Sequence, residues 1–453
     1  MLTSLDARAN GRLPTAHELV FSPSHPGFVV IEATFGLFLS QDTGATFGWV
    51  CEPAIGYPAT LNWDPSIGIT STSVLAGIPT GVSVSTDQGC SWQVTLTAQN
   101  VADIVVRRDD PHSALALASS YSGRTDAGDS AYLTQVFATH DDGATWALQG
   151  VPVEPDIAVE TIDIAPSDPD TLYIGGARTL LGDDGSIGRT GVVLASTNGG
   201  ASYTATDIAL ELPLEFESSA FVSAVDPNDP KRVYVRISQS TESSATSNVD
   251  RLLVSDDGAV SFRTVYQATG GLPGFALSSD GSKVFLGDSV AGVLLADAPP
   301  VDSGAPYSFA QRSTTLVQCL TWSAGNLYAC TPQARNPYLK ELAVSADDGL
   351  TFSPVFLFGC VSGPLACDSG AVASTCGMQF SSVQALVGDC PDGGTPADAS
   401  TPDSSASDHD ASAAPSRPRA SSCGCEAGEA AGEVGVLSAI ALLAAMVLRR
   451  HRA

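Results

Sequence analysis

The sequence predicts an all-β protein: a seven-bladed β-propeller, then a cysteine-rich cap, a low-complexity linker and a short apolar C-terminal helix. Two observations carry the propeller. The first is a turn motif written six times: SQDTGATF at Ser40–Phe47, STDQGCSW at Ser85–Trp92, THDDGATW at Thr139–Trp146, STNGGASY at Ser196–Tyr203, SDDGAVSF at Ser255–Phe262 and SADDGLTF at Ser345–Phe352. Self-similarity at such a period is the signature of a solenoid, propeller or array. The second is a phrase upstream of the motif, a strand, a Pro or Asp-Gly turn and another strand, as in APSDPDTLYIGGA and VDPNDPKRVYVRIS. Phrase and motif together supply four short strands, which is one propeller blade.

Each motif has a local physical reading. An Asp opening a tight turn accepts hydrogen bonds from backbone N–H groups a few residues on. The Gly supplies a positive φ that other residues resist. The Ser or Thr hydroxyl closes the turn from the other side. The aromatic starts the next strand and packs on its face. The structural positions are therefore Asp42, Gly44, Asp87, Gly89, Asp141, Gly143, Asn198, Gly200, Asp257, Asp347 and Gly349, with the copy at Ser255 reading as shifted in register. Six copies argue for structure over catalysis, since one active site does not need six.

The spacing counts the blades. Asp42, Asp87, Asp141, Asn198 and Asp257 follow one another at 45, 54, 57 and 59 residues, and Asp347 comes after 90. The long gap holds SSDGSKVFLG from Ser278 and GVLLAD from Gly292, a blade whose motif has decayed into the loop Pro299–Tyr307. Seven units span residues 17–356, preceded by segment 1–16. No strand is identifiable as exchanged between the first and last unit. Tyr121–Ala131, Leu181–Gly191 and Gln239–Asn248 read as exposed polar loops.

The motif resembles the Asp-box, or BNR repeat, of the sialidase and sortilin-like propeller superfamily. That superfamily includes sialidases, β-glucan hydrolases, sortilin-type receptors and a photosystem assembly factor. The box is common to all of them, so the resemblance implies the fold and leaves the function open. A sialidase would need an arginine triad and a Tyr–Glu pair, and no Arg-Ile-Pro motif is present. Arg107, Arg108 and Arg232 sit beside strands or polar loops. Asp64 has in Trp63 an aromatic neighbour able to stack on a sugar, and it reads better as a turn cap next to a packed indole. No catalytic residue is assigned.

The chain carries 21 Lys and Arg against 49 Asp and Glu, a net charge of −28. No nucleic-acid partner is expected, because binding one needs a basic footprint. Asp183 and Asp184 lack the spacing of a divalent-cation loop. The Gly182–Gly191 stretch lacks the strand-to-helix setting of a phosphate site. The six His are scattered. No cofactor and no metal are expected.

Eight of the ten cysteines precede residue 391. Cys319 and Cys330 flank a hairpin centred on Ala324-Gly325, which sets them opposite each other within disulfide reach. Cys51 and Cys90 are expected to join the first two blades. Cys360, Cys367, Cys376 and Cys390 crowd residues 357–390 and read as a stapled cap that locks the ring. Paired cysteines imply an oxidising compartment.

Residues 391–422 contain no Leu, Ile, Val, Phe, Tyr or Trp and read as a disordered linker. Then come Cys423-Gly424-Cys425, an apolar run Val434–Leu448 and Arg449-Arg450-His451-Arg452. This order resembles the myxobacterial MYXO-CTERM sorting tail. By that resemblance residues 423–453 are a sorting or membrane segment, and Cys423 or Cys425 is the processing or lipid-attachment point. The basic end would stay cytoplasmic. Met1–Glu18 holds no apolar run of signal-peptide length, so the start is expected upstream.

The function expected from these features is a bacterial, secreted or surface-retained, monomeric binding or adhesion propeller. Its partner would be a glycan or a surface protein, taken at a channel mouth. The alternatives are a glycoside hydrolase with two unassigned carboxylates and an assembly factor for envelope proteins.

Overall fold

A computed structural model of the protein describes residues 14–58, 61, 63–98, 100–124, 130–181, 187–209, 218–240, 248–268, 270–301, 303–332 and 340–390. Seven four-stranded antiparallel sheets form the body, each in sequence order. Blade 1 is β1 (Ala16–Phe21), β2 (Val29–Ala33), β3 (Gly36–Ser40) and β4 (Gly48–Val50). The first strands of blades 2 to 7 are β5 (Ser66–Ile69), β9 (Val101–Val106), β13 (Ile157–Ile164), β17 (Ser218–Val225), β21 (Gly274–Leu277) and β25 (Cys319–Ser323). Each neighbours the first strand of the next blade, and β25 neighbours β1, so they ring a central channel.

The burial pattern follows from this stacking. An inner strand is covered on both faces by adjacent blades, so it shows no alternation. All five residues of β2 (VVIEA) and of β3 (GLFLS) are buried. A fourth strand lies at the rim, and β8 (Gln93–Thr97) is mostly exposed, with only Leu96 buried. In blade 6 the motif is missing between the third strand, Gly292–Asp297, and the fourth, Ala310–Ser313.

Among the described residues the ring closes without strand exchange: blade 1 is built from residues 16–50 and blade 7 from residues 319–356. Aromatic rings fill the seam instead. Phe38 of blade 1 lies 5.3 Å from Phe356 of blade 7 and 4.9 Å from Phe358 just beyond it. Phe47 lies 4.3 Å from Phe356, and Phe21 lies 4.8 Å from Tyr328.

Three expectations are corrected. Cys51 does not pair with Cys90; Cys51 bonds Cys376 and Cys90 bonds Cys367. The chain after blade 7 doubles back over blades 1 and 2, which brings distant cysteines to these sites. Cys319 bonds Cys330 across the hairpin, and Cys360 bonds Cys390. Next, where they are described, the expected loops are strand: residues 121–124 and 130–131, 181 and 187–191, and 239–240 and 248, while 125–129, 182–186 and 241–247 lie outside the described residues. β10 (Ala114–Arg124) and β11 (Ser130–Thr139) extend as one long hairpin, as do β14 (Leu172–Leu181) with β15 (Ile187–Ser196) and β18 (Val233–Ser240) with β19 (Asn248–Ser255). Continuous cross-strand pairing extends past the blade edge there, with Tyr121 opposite Tyr132. Finally, the box at Ser255 is in register, as shown below.

The segment after blade 7 ends in α1 (Gly377–Val387). Among the described residues no helix is long and apolar enough to cross a membrane. Asp183, Asp184, Cys423, Gly424, Cys425 and the run Val434–Leu448 lie outside the described residues.

Candidate functional site

The six boxes share one geometry. In blade 1 the Ser40 hydroxyl donates to Asp42 Oδ1 at 2.8 Å and accepts from the Gly44 N–H at 2.9 Å. The Thr46 N–H donates to Asp42 Oδ1 at 2.8 Å, and its hydroxyl to Oδ2 at 2.6 Å. Asp87, Asp141 and Asp347 repeat the pattern with Ser91, Thr145 and Thr351. Both carboxylate oxygens of each are used inside the turn. The Thr351 N–H, then its hydroxyl and that of Ser345, hold Asp347 down to about 2.

The glycines have a double constraint. Gly89 has φ +100°, and a Cβ there would lie 2.5 Å from Leu39 Cδ2 of the preceding blade. Gly143 meets Leu75 of its preceding blade in the same way, at 2.6 Å. In blade 5 Ser255, Asp257 and Ser261 hold the same spacing, and the Ala259 N–H donates to Ser255 Oγ at 2.9 Å. Ala259 therefore takes the glycine position at φ +67°, and Gly258 takes the position before it. In blade 4 Asn198 Nδ2 donates to Ser202 Oγ at 2.9 Å, reversing the donor of the other boxes.

The boxes of blades 1, 3, 4 and 5 are pinned to the turn between the first and second strands of their own blade. The Thr43 N–H donates to Gly27 O, and the Asp142 N–H to His112 O. The boxes and those turns thus share one face of the ring. On that face, at the C-terminal ends of the first strands, a cavity of about 250 Å³ opens into the channel. Its walls come from β1, β5, β9, β13 and β25 and the turns after them. Phe21, Ile67, Ile69, Ile104, Ile164 and Trp322 supply apolar surface; Glu18, Arg107, Arg108, Asp109 and Asp163 supply charge. No box aspartate lines it.

The charges at the mouth are engaged. Arg107 donates through Nε and Nη2 to the two oxygens of Asp109, at 3.1 and 2.6 Å. That guanidinium holds Asp109 below the ordinary carboxylate range. Asp163 Oδ1 accepts the Ile164 N–H at 2.9 Å, and Glu18 is buried. Trp322 stacks on Phe285 at 5.3 Å. Asp64, the sugar-site candidate, is buried 3.8 Å from His17, and Trp63 is buried edge-on to Tyr57 at 5.4 Å. The pair Arg107-Arg108 reads in sequence as loop cations, and the fold brings both to the channel mouth. Phe21 and Trp322 carry no sequence signal, because only ring closure sets the two strands side by side. Among the described residues no cluster of His, Cys, Asp and Glu suits a metal ion.

Residues 80–280 match the family model described as Sortilin-Vps10, sortilin or neurotensin receptor 3. Over those residues the chain is similar to sortilin. Among solved structures an ancestral GH74 enzyme aligns with a TM-score of 0.53 at 15% identity, covering 76% of this chain and 46% of that one. The chain thus spans about half of that enzyme's length. Hydrazine synthase of Kuenenia stuttgartiensis aligns at 13% identity and a TM-score of 0.48, over 76% of this chain and 98% of that one. These likenesses concern the fold. No curated protein sequence matches the chain. Four disulfides are the chemistry of a protein that matures in an oxidising compartment.

Proposed function

We propose that the protein is a secreted or surface-retained, monomeric binding propeller that takes part of a glycan or surface protein into the channel mouth. The cavity carries this reading: it is concave, mainly apolar in its walls and flanked by a few fixed charges, the usual composition of a binding site. At about 250 Å³ it suits a side chain or a single sugar ring, not an extended substrate. Catalysis by a carboxylate pair is disfavoured by the same geometry. Asp109 is clamped by Arg107, Asp163 bonds its neighbouring backbone, and the box aspartates are consumed in turns. The tail around Cys423 and Cys425 would supply retention at the surface.

The test is a glycan array and a panel of purified envelope proteins probed with the whole protein, with products assayed by mass spectrometry. A Val20→Trp variant, filling the channel, serves as the control. Binding lost in the variant and no turnover are the expected results. Hydrolysis of any glycan, or binding indifferent to Val20→Trp, would sink the reading.

A further inference from the structure

We propose that residues 357–390 form a two-stage disulfide clasp over the ring seam. The outer stage, Cys90–Cys367, is open to direct reduction by a small dithiol. The inner stage, Cys51–Cys376, becomes reducible only once the outer stage has let the strap lift.

The strap's path makes the argument. Leaving blade 7, it lies parallel to β4 as a short extra edge: the Trp49 N–H donates to Gly363 O at 3.2 Å and the Leu365 N–H to Trp49 O at 2.8 Å. The approach is so close that a Cβ on Gly48 would lie 2.6 Å from Leu365 Cα. Two residues on, Cys367 is tied to Cys90 in the box of blade 2. Both of these cysteines are half-buried. The strap then returns to blade 1, where Cys376 bonds Cys51. There both cysteines are fully buried, and the Cys51 N–H donates to Cys376 Sγ at 3.0 Å. The strap's own end packs beside this bond: Val372 and Val387 join the cluster that buries Cys51, and Phe380 of α1 lies 6.0 Å from Trp49. A disulfide is attacked only along a path that a thiolate can reach. The inner bond is therefore guarded by the segment that the outer bond holds down. Cys360–Cys390, with Cys390 exposed, opens in the same range as the outer stage but leaves the strap tied to both blades.

The chemistry balances with a dithiol as reductant. One thiolate attacks a sulfur of Cys90–Cys367, that S–S bond breaks and a mixed disulfide forms. The second thiolate then closes the reductant into a cyclic disulfide. The dithiol is oxidised, and its two protons end on Cys90 and Cys367.

The experiment is a dithiothreitol titration of the whole protein, quenched by alkylation and read cysteine by cysteine by mass spectrometry. Cys90 and Cys367 should label at a reductant concentration at least about tenfold below that for Cys51 and Cys376. In a Cys90→Ser/Cys367→Ser variant the inner bond should be reduced at a concentration about tenfold lower than in the wild type. Cys319–Cys330, equally buried but held within one hairpin, should not move. Equal midpoints for inner and outer bonds, or an inner bond indifferent to the variant, would overturn the proposal. Should the variant misfold and shift Cys319–Cys330 too, hydrogen exchange at the Trp49 N–H in partly reduced wild type decides. Faster exchange supports the clasp, and unchanged exchange rejects it.

Discussion

Asn198 is the one box residue that departs from a carboxylate. Its Oδ1 accepts the Ser202 N–H at 3.0 Å, as the aspartates do, but its Nδ2 must donate to the Ser202 hydroxyl. Elsewhere the hydroxyl donates to a charged oxygen at 2.5 to 2.7 Å. Charge-assisted bonds exceed neutral ones by about 1 kcal/mol. Asn198→Asp should therefore stabilise the fold by about 0.5–1 kcal/mol at pH 7, after some repulsion from the neighbouring Asp170. Chemical denaturation checks this, and the gain should vanish as pH falls below the Asp range. The glycines lead to the opposite expectation. Gly89→Ala adds left-handed strain and a clash with Leu39, and should cost about 2–4 kcal/mol. Ala259→Gly relieves that strain but empties a buried methyl, so it should fall within about 1 kcal/mol of neutral. Box chemistry is legible in the sequence because every partner lies within four residues. The contact of Gly89 with Leu39 is not, since it exists only between blades.

At the scale of elements, the strand–turn–strand phrases were readable for the same local reason. Among the cysteines, Cys319–Cys330 was readable from its hairpin, and the long-range pairs were not. Cys51 and Cys376 are 325 residues apart, and only the strap's return over blade 1 joins them. The strap also buries an acid. Glu341, just before β27 (Leu342–Ser345), is fully buried and accepts the Phe358 N–H at 2.9 Å where the strap begins. Burial pushes its carboxyl up to about 7 from an ordinary 4.5. The sign follows from linkage. The unfolded chain releases this proton near 4.5 and the folded one near 7, so stability from this group is full below 4.5 and falls as pH rises to 7. At ~1.4 kcal/mol for each tenfold in proton affinity, the loss is about 3 kcal/mol. Glu341→Gln keeps an acceptor for Phe358 without the charge. It should therefore gain on the wild type at pH 8, and the advantage should shrink steadily toward pH 4.5. Parallel denaturation curves at three pH values measure it. A difference independent of pH would show that Glu341 is ionised throughout.

The whole molecule is a ring, and a ring differs from an open array in having no terminal repeats. In an open stack each end unit has one neighbour and frays first. Here blades 1 and 7 face each other through Phe38, Phe47, Phe356 and Phe358, so every blade has two neighbours. The cavity belongs to this scale as well. Phe21 and Trp322 share it only because β1 and β25 meet, which explains why composition and motif pointed to the fold yet not to the site. The seam makes the test. Phe358 is buried, 5.1 Å from Phe35 and 4.9 Å from Phe38. Phe285, also buried, stacks on Trp322 between blades 6 and 7 and away from the seam. Either residue changed to Ala should cost about 3–5 kcal/mol. The pattern of loss should differ. With Phe358→Ala, amide protection should fall first in blades 1 and 7, as in an array that has regained its ends. With Phe285→Ala, the loss should centre on blade 6 while the seam keeps its protection. Hydrogen exchange read blade by blade separates the two. If Phe358→Ala instead lowers protection evenly round the ring, the seam is no weaker than any other junction, and closure must be spread over all seven interfaces.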